Sequence, residues 1–94
     1  MMKIDWSRQA DQDRDAIYDH IEVNNPRVAA RMDSLFDKAA ATLLEHPTRG
    51  MPGAIPGTRE LLTARSYCLV YEIDGETVRV LTLVQAARRR SQLD

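Results

Sequence analysis

Asp74-Gly75 lies between two runs rich in β-branched, aromatic and leucine residues, Tyr67–Ile73 and Glu76–Ala86. A two-residue turn of type I′ needs positive φ at both positions, and Asp-Gly is among the few pairs that accept it. This element constrains the chain more than any other, because it commits the second half to an antiparallel hairpin. With Asp74-Gly75 as the turn, Ile73 faces Glu76, Tyr71 faces Val78, Leu69 faces Val80 and Tyr67 faces Thr82. Arg65 and Val84 share that face. The other face carries Cys68 against Leu81, Val70 against Arg79, and Ser66 against Leu83, with Gln85 further along. Both faces are partly apolar, so one is expected to meet helices and the other to remain a partly exposed, concave surface. Thr58–Ala64 reads as a further strand.

The first half follows helical periodicity instead. Met2–Trp6 alternates as a short strand does, and Ser7 is a good N-cap. From Arg8 to Val23 the apolar residues Ala10, Ile17, Tyr18 and Ile21 fall on one stripe, with Asp11, Asp13, Asp15 and Asp19 mainly on the solvent side. Asn25-Pro26 ends that helix and opens the next, as N-cap and first helical residue. Val28, Ala29, Met32, Leu35, Phe36, Ala39, Leu43 and Leu44 recur at three- and four-residue spacing until Glu45, and Pro47 prevents continuation. Two amphipathic helices with so short a break form an antiparallel hairpin. The expected fold is α+β, in the order β-α-α-β-β-β, an antiparallel sheet packed against an N-terminal helical hairpin. The 94 residues suit one domain spanning 1–94. Pro47–Gly57, with three prolines and three glycines, reads as a connector.

Charge is divided along the chain. Residues 1–46 hold six Lys/Arg against nine Asp/Glu, a net of −3, and residues 47–94 hold seven Arg against five Asp/Glu, a net of +2. An arginine-only basic half points to phosphates or carboxylates on a partner. The candidate contacts are Arg59, Arg65, Arg79 and the run Arg88-Arg89-Arg90, whose plainer reading is a solvated tail. Catalytic machinery is thin. His20 lies mid-helix and His46 at a helix end, no Cys/His cluster has zinc spacing, and no glycine-rich loop leads into a helix. No cofactor or metal is expected. Cys68 stands alone inside an apolar strand and reads as a small buried hydrophobe. No apolar run approaches the roughly 18–20 residues that cross a membrane, so a soluble, cytoplasmic protein is expected.

Several segments resemble the RelE/ParE superfamily, toxins of type II toxin–antitoxin modules. They are Asp15–Ile21, Asn25-Pro26, Pro56–Leu61, Tyr67–Tyr71, and Val80-Leu81 running into Ala87–Arg89. The resemblance spans nearly the whole chain. It implies two activities on one fold: RelE-like members cut mRNA on the ribosome, and ParE-like members poison DNA gyrase. The nuclease members commonly use a third-strand arginine, an arginine or histidine at the end of the last strand, and often a C-terminal tyrosine. Here those positions hold Cys68, Gln85 and Leu93-Asp94, while Arg88 matches. If the chain were a nuclease, Arg65, Arg88 and Gln85 would be its site. The ParE-like reading is favoured, and an inactive relative acting as binding partner or corepressor is the third. Each reading implies a cognate antitoxin, whose acidic-hydrophobic segment would cover Ile17 and Tyr18 on the helices or Val70, Leu81 and Leu83 on the sheet.

Overall fold

A computed structural model describes residues 1–63 and 67–86. The elements are β1 (Lys3–Trp6), α1 (Arg8–Glu22), α2 (Pro26–Glu45), β2 (Met51–Pro52), β3 (Arg59–Leu62), β4 (Tyr67–Asp74) and β5 (Thr77–Gln85). They form a single five-stranded sheet in the order β1-β5-β4-β3-β2, with the helical hairpin on one face. The α+β expectation holds, with two additions. The sheet is mixed, because β1 runs parallel to β5. A two-residue β2 inside the proline-rich connector also pairs with β3.

The caps act as the side chains dictate. Ser7 Oγ accepts from Ala10 N at 3.0 Å, and Asn25 Oδ1 accepts from Val28 N at 3.3 Å ahead of Pro26. Phe36, Leu43, Leu69, Tyr71, Val78 and Val80 are fully buried between helices and sheet. Each contributes about 1.5–3 kcal/mol of apolar burial. Phe36 meets Tyr67 edge-on, with ring centroids 5.9 Å apart.

Arg14 locks the hairpin to the sheet. Its Nε and Nη2 donate to Asp33 Oδ1 and the Asp33 carbonyl at 3.0 and 3.1 Å, and its Nη1 meets Asp37 Oδ1 at 2.8 Å. The guanidinium lies 4.5 Å from the centroid of the Trp6 ring. Burial works against its charge, but the hydrogen bonds from Asp37 and Asp33 prevail and hold its pKa above the ordinary arginine value.

The hairpin register differs from the sequence expectation at two points. The turn residues are Gly75 and Glu76, with Asp74 paired to Thr77 and Gly75 at φ +59°. Tyr71 therefore faces Val80, not Val78. A bulge follows, since Tyr71 pairs with Val80 while Val70 pairs with Thr82 and Leu81 has no partner across the ladder. One extra residue inverts the alternation of everything beyond it. Leu83 thereby enters the core at 5% exposure instead of lying on the outer face.

Asp13 explains the bulge. Its Oδ2 accepts from Leu83 N at 3.0 Å and from the Thr82 hydroxyl, and Ser7 Oγ donates to Leu81 O at 2.9 Å. Side chains from the start of α1 thus satisfy backbone groups that the bulge removes from the ladder. Asp13 is accordingly not a solvent-side residue.

Candidate functional site

The sheet face away from the helices is divided into two chemically distinct halves. At the Gly75 end, Arg79 on β5 is held by three carboxylates from the two flanking strands, β1 and β4. Its Nη1 lies 3.0 Å from Glu72 Oε1 and 3.6 Å from Asp74 Oδ2, and its Nε lies 3.5 Å from Asp5 Oδ2. The Glu72 and Asp5 hydrogen bonds raise its pKa above the ordinary value. Its charge is spent within the sheet, so it offers little to an anionic partner.

The opposite half is apolar. The ladder places Met51 across from Glu60, Glu60 from Val70, Leu62 from Cys68 and Cys68 from Val84. Val70 and Cys68 are nearly covered, whereas Met51 and Leu62 are 74% and 64% exposed. A groove of about 370 Å³ opens there, lined by Arg49, Met51, Glu60, Leu62 and Cys68 together with Leu61 and Ala86. Exposed methionine and leucine beside a shallow groove leave apolar surface that the fold itself does not cover.

The Pro47–Gly57 segment frames this half and is firmly held. The Tyr71 hydroxyl, at the end of a fully buried side chain, donates to Pro47 O at 2.6 Å and accepts from Gly50 N at 2.9 Å. Arg59 Nη1 donates to Gly50 O at 2.9 Å and to Thr48 O at 3.3 Å. Within the segment, Gly53 N donates to Thr58 O at 2.8 Å and Thr58 N donates to Ile55 O at 3.1 Å. The connector is thus an organised loop that presents Met51 and the 66%-exposed Ile55 outward.

The residues singled out from sequence are dispersed. Arg59 pins the loop and Arg79 is neutralised, so neither is a free cation. Arg65 and Arg88, Arg89 and Arg90 lie outside the described residues. Gln85 is exposed at the end of β5, opposite Tyr67. Ile17 packs against the core cluster, and the Tyr18 hydroxyl bonds Glu22, which raises its pKa. Val70 does face the outer groove side, Leu81 sits in the bulge, and Leu83 belongs to the core. Arg49, Met51, Ile55 and Leu62 were missed. The available signal was apolar residues inside a proline- and glycine-rich segment, which a plain connector has no reason to carry. Among the described residues no group of three or more His, Cys, Asp or Glu is placed to hold a metal. No described helix is long and apolar enough to cross a membrane.

Known proteins share this arrangement over nearly the whole chain. A family model described as "ParE toxin of type II toxin-antitoxin system, parDE" matches residues 4–90. A Sinorhizobium fredii protein, Y4kP, is 35% identical over 92 residues, covering 97% of this chain and 95% of its own. A Caulobacter vibrioides protein named Toxin RelE2 is 33% identical over 88 residues, 94% of this chain and 99% of its own. A solved chain of the chromosomal ParDE system of P. aeruginosa superposes with a TM-score of 0.82 at 28% identity, covering 90% of this chain and 96% of that one. A YoeB–YefM complex from Staphylococcus aureus shares the fold at 17% identity and a TM-score of 0.59, covering 88% and 94% of the two chains.

Proposed function

The chain belongs to the ParE toxin family of type II toxin–antitoxin systems, and from that membership we propose that it arrests growth by binding DNA gyrase. In this reading residues 1–94 act as one toxin domain in the cytoplasm, held inactive by a cognate antitoxin on the apolar half of the outer sheet face. The match to a ParE family over residues 4–90 carries the reading. The chemistry at the open end of the sheet supports it. Cleaving a phosphodiester by general acid–base catalysis calls for a side chain that exchanges protons near neutral pH. Cys68 is buried in β4 and Gln85 is an amide, which suits recognition better than cleavage.

Antitoxin docking is supported by exposed Met51 and Leu62 on one groove with the Arg49 cation among its lining residues. A disordered acidic-hydrophobic segment that folds on binding offers matching chemistry. The test is supercoiling and cleavage by purified gyrase with and without the full chain, repeated after adding the protein encoded beside it. Inhibition relieved by that protein is expected, and unimpaired gyrase at stoichiometric excess refutes the target.

Ribosome-dependent mRNA cleavage is the second reading, favoured by the relative named Toxin RelE2. It predicts that induction stops protein synthesis before any DNA damage, with transcripts cut inside translated codons. Under the gyrase reading, DNA damage and filamentation come first while translation continues.

A further inference from the structure

Among the described residues, the solvent face of the helical hairpin carries charged side chains that enter no ion pair. Along α1, Asp11, Asp15, Asp19 and Glu22 recur at helical spacing on one exposed stripe, preceded by Arg8. Along α2, Arg27, Arg31 and Lys38 form an exposed stripe that ends in Glu45. Among the described residues, none of Asp11, Asp15, Asp19, Arg27, Arg31 and Lys38 takes part in an ion pair. The two stripes therefore stand side by side, opposite in sign and unpaired. Each even inverts its sign at the same end of the hairpin.

Their relative heights follow from Arg14, which reaches both Asp33 and Asp37. Leu35 is therefore level with Arg14, and each step forward along α1 is one step back along α2. Asp11 is then level with Lys38, Asp15 with Ser34, Asp19 with Ala30 and Arg31, and Glu22 with Arg27. Ala30, Ser34 and Ala41, exposed beside the α2 cations, are small enough for another helix to approach closely, and the exposed Asp37 next to Lys38 is already held by Arg14.

We infer that this face is an isologous interface with a second copy of the chain. A two-fold axis parallel to the helices lays α1 of one copy over α2 of the other while preserving heights. It brings Asp11 to Lys38, Asp19 to Arg31 and Glu22 to Arg27 of the second copy, twice over. A two-fold axis across the helices places α1 on α1, carboxylate against carboxylate, and is disfavoured by the same charges. A polyanion on the α2 cations would also meet the α1 carboxylates, whereas a second copy supplies a matching stripe at matching heights. The face buries on the order of 1,000 Å² in total, the low end for a specific interface. Association is accordingly weak and salt-sensitive. The apolar sheet face lies on the other side of the molecule, so dimerisation leaves it free.

Sedimentation equilibrium of the full chain at low and high salt tests this. Self-association should weaken at least tenfold between about 50 and 500 mM NaCl. Asp19→Lys and Arg31→Glu should each weaken it about tenfold or more at low salt, with circular dichroism confirming unchanged folds, and the double variant should restore it. A monomer at low salt and high micromolar concentration overturns the interface. So does a dimer indifferent to either reversal, or one that the double variant fails to restore.

Discussion

The Asp13 carboxylate on α1 accepts the backbone amide of Leu83 on β5 at 3.0 Å, across a sequence separation of 70 residues. This contact joins the first helix to the last strand at the bulge that turns Leu83 inward. A buried amide left without its acceptor costs about 1–3 kcal/mol. Asp13→Ala should therefore lower stability by that amount, a shift of about 4–8 °C in Tm per kcal/mol for a domain of this size. Asp13→Asn keeps one acceptor oxygen and should lose less. Equal loss in both variants, measured by thermal unfolding, would contradict the assigned role.

Arg14 should tolerate no conservative replacement. Lysine supplies a point charge and cannot bridge Asp33 and Asp37 while lying over Trp6. Arg14→Lys should cost about 1–2 kcal/mol and Arg14→Ala about 2–4 kcal/mol, because packing and pairing are lost together. The raised pKa fixes the sign of any pH dependence: the stabilisation is complete below the ordinary arginine value and is lost only as pH rises through the folded value. Urea titrations of wild type and Arg14→Ala between pH 7 and 9 should differ by a constant amount.

Gly50 should resist any side chain. A Cβ there would sit 2.7 Å from the Tyr71 hydroxyl and 2.9 Å from Glu60 O, closer than packed atoms allow. Gly50→Ala should cost about 1–3 kcal/mol as an overpacking change. Tyr71→Phe removes the hydrogen bonds to Pro47 and Gly50 and should cost a similar amount. In both variants, hydrogen exchange across residues 47–57 should accelerate more than exchange in α2.

Exposed apolar residues should behave in the opposite way. Met51→Ser and Leu62→Ser should change Tm by less than about 0.5 kcal/mol equivalent. They should nevertheless weaken antitoxin binding at least tenfold, as truncating anchors of an interface does. Calorimetric titration against the antitoxin checks this, and unchanged affinity in both would move the docking site elsewhere.

Much of the architecture was legible in the chain because local rules governed it. Ser7 and Asn25-Pro26 marked helix starts through side-chain capping and a fixed φ, and Ala29, Met32, Phe36 and Leu43 showed their shared buried face through helical period alone. The candidate site was less legible. Arginine composition pointed to Arg59 and Arg79, yet one is spent on loop carbonyls and the other on Asp5, Glu72 and Asp74. A side chain's charge is a local property, but whether that charge remains available depends on which carboxylates the fold brings within reach.

By itself the sequence determined the helical hairpin, the strands β1, β3, β4 and β5 and the existence of a β4–β5 turn, because periodicity, caps and Gly75 act over a few residues. Only the tertiary structure decided that β1 runs parallel to β5, that the turn sits at Gly75-Glu76, and that Leu81 bulges out so that Leu83 enters the core. Those choices depend on partners tens of residues away, chiefly Asp13 and Ser7 on the backbone of β5, and no local pattern encodes such a meeting.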